Sequence, residues 1–126
     1  MNCSREDHGD ATTLHIRGEL DALSAGELRP LLDRVVEDGR RDVTVDLSQL
    51  RLVDSSGVGA LVSLYKRVRA GGGQVVFTNV TSQPLVIFKL LRLDIVFELQ
   101  QPLATQQLET QATTETVPAS IRVIRF

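Results

Sequence analysis

Residues 43–68 read VTVDLSQLRLVDSSGVGALVSLYKRV, and the reading of this stretch decides the fold. Val43, Val45 and Leu47 alternate with Thr44 and Asp46, the period of a strand with one buried face. Residues 48–53 read as a loop. From Asp54-Ser55-Ser56-Gly57 onward, Val58, Leu61, Val62, Tyr65 and Val68 recur at three- and four-residue spacing, which predicts a helix. A strand and a helix are thus joined by a turn that presents hydroxyls beside an acid, at the positive end of a helix dipole. The chemistry is expected there.

Upstream, Thr12, Leu14 and Ile16 alternate with Thr13, His15 and Arg17 and predict a second strand, after which Gly18-Glu19-Leu20-Asp21 turns away from the sheet. Ser24-Ala25-Gly26-Glu27 has the form of a capping box. Leu28, Leu31, Leu32, Val35 and Val36 then make one apolar stripe of a packing helix that ends at Gly39, a left-handed C-cap. Pro30 is read in the first turn or two of that helix, where its missing N–H costs little. Residues 1–10 are charged and order only if Cys3 and its neighbours form an edge strand.

Downstream, Lys66, Arg67 and Arg69 occupy the last turn of the central helix, where cations favour the dipole. Gly71-Gly72-Gly73 reads as a helix-to-strand turn; no lysine and no following helix accompany it, as a phosphate cradle would need. Gln74-Val75-Val76-Phe77-Thr78 predicts a short buried strand. Ser82 is read as an N-cap with Pro84 in the first turn. Leu85, Phe88 and Leu91, with Val86 and Leu90, form the inner face of a third helix. Ile95-Val96-Phe97 reads as a last short strand, and residues 102–108 as a short helix with Pro102 first. Residues 110–120 are rich in threonine and read as flexible. The final Ile121-Arg122-Val123-Ile124-Arg125-Phe126 alternates and is β-prone, suited to an exposed sheet edge. Strands alternating with amphipathic helices imply an α/β domain with a largely parallel sheet.

Composition bounds the function. The 126 residues suffice for one domain, and 42% hydrophobic with 24% charged content is ordinary for a soluble globular protein. A net charge of −2 argues against a nucleic-acid or anionic-membrane surface. The single cysteine precludes an internal disulfide and fits a reducing cytoplasm. The first ten residues carry no apolar signal-peptide core, and no apolar run approaches the roughly 20 residues of a membrane span. A cytoplasmic protein is expected.

Enzyme readings fail on the residues. A Ser-His-Asp hydrolase needs a histidine beside its nucleophile and an oxyanion hole, yet only His8 and His15 exist and no G-x-S-x-G pentapeptide surrounds Ser55 or Ser56. One cysteine and two dispersed histidines give no metal-ligand spacing. Gly57-x-Gly59 lacks the third glycine of a dinucleotide fingerprint, since Val62 takes that place. No cofactor and no catalytic residue is expected. The two glycines either let another backbone approach the helix start or let this helix pack tightly on its own sheet.

The turn is better read as a substrate for another protein's chemistry. A serine at a helix N-terminus is reachable by a kinase, and the dipole tolerates a phosphate there. The modification adds roughly −1.5 to −2 charges. Asp54 is adjacent, and Glu19 and Asp21 lie near if the two loops share one end of the sheet.

Asp54-Ser55-Ser56-Gly57-Val58-Gly59, after VTVDLSQL and with Gly18-Glu19-Leu20-Asp21 upstream, resembles a STAS domain, and more narrowly the bacterial anti-sigma-factor antagonists. The resemblance runs from about residue 14 to residue 97, within a domain placed at residues 1–109 and followed by a C-terminal extension at 110–126. It implies a four- or five-stranded mixed sheet with helices packed mainly on one face. It also implies partner switching. The unphosphorylated protein binds a serine-kinase anti-sigma factor, phosphorylation at Ser55 releases it, and a metal-dependent serine phosphatase restores binding. By the resemblance Ser55 is the phosphoacceptor, Asp54 orients its hydroxyl or helps the kinase position it, Ser56 caps the helix, and the partner-facing surface comprises Asp21, Asp54, Ser55, Ser56, Gly57 and Gly59. At its third helix the family has a glycine before a leucine; here Arg92 precedes Leu93, so that helix is expected to end differently. The alternative implied by the same resemblance is a non-switching accessory subunit of a larger complex such as a lipid-transport ATPase.

Overall fold

The computed structural model describes residues 1–97 and residue 99. The helix expected at 102–108, the extension at 110–126 and its terminal β-prone run lie outside the described residues. Eight elements follow in order: β1 (Asn2–His8), β2 (Ala11–Leu20), α1 (Ala22–Glu37), β3 (Asp42–Val53), α2 (Ser55–Ala70), β4 (Gln74–Thr78), α3 (Ser82–Leu90) and α4 (Leu93–Val96). The four strands make one mixed sheet in the order β1-β2-β3-β4. β1 and β2 form an antiparallel hairpin; β2–β3 and β3–β4 are parallel, connected through α1 and α2. Both crossovers step in the same direction along the sheet, so the usual right-handedness of such connections puts both helices on one face.

That face holds the core. Leu14 and Ile16 on β2, Val45 and Leu47 on β3 and Phe77 on β4 are fully buried beneath Leu28, Leu32 and Val35 of α1 and Leu61 and Leu64 of α2. The residues between them, Thr13, His15, Thr44 and Asp46, lie on the opposite face and are half-buried. Cys3 and its neighbours do form the edge strand that orders the charged leader.

Several local expectations are corrected. The predicted loop at 48–53 is strand. Buried positions on β3 run Val43, Val45, Leu47, Leu50 and Val53, and the two three-residue steps mark register shifts against β2 between His15 and Arg17 and between Gly18 and Glu19. Each bulge adds a residue and flips the alternation, so a strict period of two stops at Leu47 although pairing continues to Val53. For the same reason Gly18, Glu19 and Leu20 stay in β2 instead of leaving the sheet. α1 starts a turn earlier than read, which leaves Pro30 inside it. Pro30 and Gly26, whose carbonyl loses a donor, both face solvent, and this limits the cost. Gly39 has φ +69 just past the Asp38 C-cap, as read. The N-cap of α3 is Thr81, one residue before Ser82. Within α3 only Pro84 and Phe88 are buried; Val86 and Leu90, read as inner face, are exposed, and so is Leu91 beyond its end.

The segment read as a last strand is the short helix α4. Ile95 and Val96 are exposed while Phe97 turns inward and stacks on Phe77 at 4.2 Å between ring centroids. Arg92 takes the left-handed conformation after all, with φ 62. A non-glycine residue there costs about 1–2 kcal/mol. Burying Phe97 is worth about 1.5–3 kcal/mol, enough to hold the reversal. Replacing Arg92 with glycine relieves the strain but loosens the unfolded chain by about 0.5–1 kcal/mol. The Arg92→Gly protein is therefore expected to be more stable by about 0.5–1 kcal/mol, measured as a higher denaturant midpoint at unchanged slope.

Gly57, in the first turn of α2, is buried; a Cβ there would sit 2.7 Å from the Leu20 side chain and carbonyl and 2.8 Å from Val53. The helix start thus lies directly on the ends of β2 and β3. Gly57→Ala is expected to cost about 1–3 kcal/mol by overpacking, whereas Gly59→Ala, exposed within α2 with only the tip of Arg29 at 3.8 Å, is expected to stabilise by about 0.5–1 kcal/mol in the same unfolding titration.

Candidate functional site

β2 and β3 end side by side, with Leu20 opposite Val53. The Asp54 N–H donates to the Leu20 carbonyl at 3.1 Å as a last rung, and each chain then passes into a helix. Neighbouring strands lie about 4.8 Å apart, so the N-termini of α1 and α2 are adjacent at this end of the sheet. Each is capped by an aspartate in extended conformation, Asp21 and Asp54. The two loops therefore share one end, and Glu19 joins them with its carboxylate 3.6 Å from the Arg51 guanidinium.

The caps differ from those read in the sequence. At α1 the box is formed by Asp21 and Ser24, not by Ser24 and Glu27. The Asp21 carboxylate accepts the Ser24 N–H at 3.0 Å, and the Ser24 hydroxyl accepts the Asp21 N–H at 2.8 Å. The pattern S-x-x-E is present, but Asp21 lies three residues before Ser24 and reaches the free N–H groups first. The Ser24 N–H, and after it the Ser24 hydroxyl, hold the Asp21 carboxyl below the ordinary carboxylate value. At α2, Asp54 takes the capping role expected of Ser56, accepting the N–H groups of Ser56 at 2.9 Å and Gly57 at 3.1 Å. Its Oδ1 thus faces the helix backbone, and among the described residues no hydrogen bond joins it to the Ser55 hydroxyl.

Ser55 is the first residue of α2 and is exposed; Ser56 is half-buried and Gly59 exposed. Gly57, expected on a partner-facing surface, is instead buried, and its lack of a side chain is required by Leu20 and Val53 of its own sheet. Neither histidine can serve the serines. His15 lies five residues before the end of β2, about 16 Å of strand, where its Nδ1 is 3.0 Å from Asp46 Oδ2. His8 pairs with Ala11 at the opposite end of the sheet. Among the described residues no cluster of three or more metal-ligating side chains occurs, and no helix is long and apolar enough to cross a membrane.

Two features were not legible. An apolar cleft of about 230 Å³ runs beside Ser55, with Val53, Asp54, Ser55 and Val58 on one wall and Ile87, Leu90 and Leu91 on the other. The run PLVIFKLL is apolar almost all round, so no polar stripe reveals which face stays open. Gln83, unremarkable in the sequence, closes the last residue of β3: its Oε1 accepts the Val53 N–H at 2.9 Å and its Nε2 donates to the Val53 carbonyl at 3.1 Å. No sequence signal would have found it, because the pairing depends on β3 outrunning β4.

Comparison with known proteins follows this geometry. The STAS domain family model matches residues 2–106. A Bacillus subtilis protein named anti-sigma-B factor antagonist is 29% identical over 86 residues, covering 68% of this chain and 78% of its own. The crystal structure of an anti-sigma factor antagonist from Mycobacterium paratuberculosis superposes with a TM-score of 0.72 at 23% identity, covering 87% of this chain and 93% of that one. The Bacillus cell fate determinant SpoIIAA in its phosphorylated form gives 0.66 at 17% identity, covering 87% and 99%. The four-stranded mixed sheet and its helices are the fold of these structures, and the chain belongs to the STAS domain family.

Proposed function

We propose that this chain is an anti-sigma-factor antagonist that works by partner switching. With Ser55 unmodified it binds an anti-sigma factor that is itself a serine kinase; phosphorylation at Ser55 releases it; a metal-dependent serine phosphatase returns it to the binding form. The chain is the substrate in this cycle and performs no chemistry of its own.

The observation that carries the reading is the exposed Ser55 hydroxyl at the start of α2, open to a kinase and set among the Asp21 and Asp54 caps. The name of the Bacillus subtilis relative supports the partner class, and the existence of SpoIIAA in phosphorylated and unphosphorylated forms supports the modification.

The consequence of phosphorylation follows from electrostatics. A phosphate at the first helical position meets the positive end of the α2 dipole, which favours it, so the helix survives. Its roughly −1.5 to −2 charges nonetheless stand beside two carboxylates. A surface fitted to a neutral hydroxyl then meets repulsion and a desolvation cost. A loss of about 4 kcal/mol weakens a complex about a thousandfold, which is enough to release a partner without refolding.

Incubation with a cognate kinase and ATP, followed by phosphosite mapping, is expected to place phosphate on Ser55; phosphate on Ser56 alone, or none, overturns the reading. Ser55→Asp is expected to weaken partner binding by two to three orders of magnitude in a titration, and Ser55→Ala to bind in the presence of ATP without release. Ser56→Ala is expected to remain switchable.

A further inference from the structure

β4 pairs with β3 only from Asp42–Gln74 to Asp46–Thr78, whereas β3 continues to Val53. On the β2 side the ladder is complete to the end, through Leu20. On the other side, among the described residues, the last seven residues of β3 have no neighbouring strand. At Val53 the Gln83 side-chain amide supplies what a strand would have supplied: an acceptor for the N–H at 2.9 Å and a donor for the carbonyl at 3.1 Å. Buried backbone groups need such partners. Here they come from the second residue of α3.

The location matters more than the bonds. Val53 immediately precedes Asp54 and Ser55, and α3 supplies Ile87 and Leu90 to the facing wall of the apolar cleft. Leu85 and Ile87 of α3 pack, partly buried, against the core. Thr81 makes no side-chain cap hydrogen bond, only Pro84 and Phe88 are buried, and the approach from β4 passes through Asn79 and Ser82 in left-handed conformation. Among the described residues, no other side-chain hydrogen bond ties the start of α3 to the turn.

We propose that Gln83 is a positioning residue. Its two-point bracket on Val53 holds the start of α3 against the Ser55 turn, and so sets the cleft wall that a partner engages together with the serine. The inference rests on the reading of Ser55 as the switching residue, and its test separates the two.

Gln83→Glu keeps the shape and the acceptor but turns an oxygen toward the Val53 carbonyl, and Gln83→Met removes both bonds at similar volume. In ¹H–¹⁵N spectra both variants are expected to shift the Ser55 and Ser56 amides and to raise Val53 amide exchange about tenfold. The β1–β2 amides are expected to stay unchanged. With the kinase, both variants are expected to raise KM for phosphorylation about tenfold with kcat within twofold. Altered Val53 exchange with unmoved Ser55 and Ser56 amides and unchanged KM would make the bracket a local structural bond and overturn the proposal. If the unaltered protein accepts no phosphate, the switching reading falls while the amide shifts still decide the positioning role.

Discussion

The structure depends on the terminal rung of a parallel ladder. Where Leu20 faces Val53 and the Asp54 N–H meets the Leu20 carbonyl, two strands stop together and two helices start together. Parallel strands joined by helical crossovers place equivalent ends on the same side of the sheet, so this adjacency is a property of the topology. It brings two sets of free N–H groups, and two positive dipole ends, within a strand spacing of one another. Asp21 and Asp54 answer both. Each carboxylate satisfies orphan donors and offsets its own helix, leaving a turn with two negative charges beside a Ser55 hydroxyl that makes no hydrogen bond among the described residues.

Close packing makes the turn rigid on one side. Gly57 rests on Leu20 and Val53 with no room for a methyl group, so α2 enters at a fixed depth over the strand ends. Beneath it Leu61 and Leu64 are fully buried against the sheet. Moving Ser55 inward or sideways would require moving the core with it. On the proposed reading, this is why a change of charge, with no change of shape, is the natural signal at this position.

The fold was legible because its pattern is locally consistent. The alternation at Thr12–Leu14–Ile16 and Val43–Val45–Leu47, the helical stripes after each and the Gly71-Gly72-Gly73 stop all point the same way. What misled was local geometry that periodicity cannot express. Two bulges disguised the second half of β3 as loop. Asp21 outcompeted a well-formed S-x-x-E pattern for the start of α1. Ile95-Val96-Phe97 is β-prone in composition, but the gain from stacking Phe97 on Phe77 fixes the chain as a short helix after a left-handed Arg92. Of the site, Ser55, Asp54 and the proximity of Asp21 were visible in the residues and their resemblance. The capping roles, the burial of Gly57 and the cleft required coordinates.

The two walls of that cleft differ in how they are held. Val53 and Val58 belong to the main core, tied by the ladder, the Asp54 cap and the seat of Gly57. The α3 wall packs on the core through Pro84 and Phe88, the latter meeting Phe77 edge-on at 6.3 Å, with Leu85 and Ile87 partly buried, and its start is tied by the Gln83 bracket. Leu90 is 72% and Leu91 53% exposed, a cost in solvated apolar surface for the free protein that a partner would recover. On the proposed reading, a wall bearing the hydroxyl and a wall bearing the apolar contacts divide recognition into two parts. Apolar contact would then supply affinity regardless of the state of Ser55, while charge beside the hydroxyl would decide whether that affinity can be used.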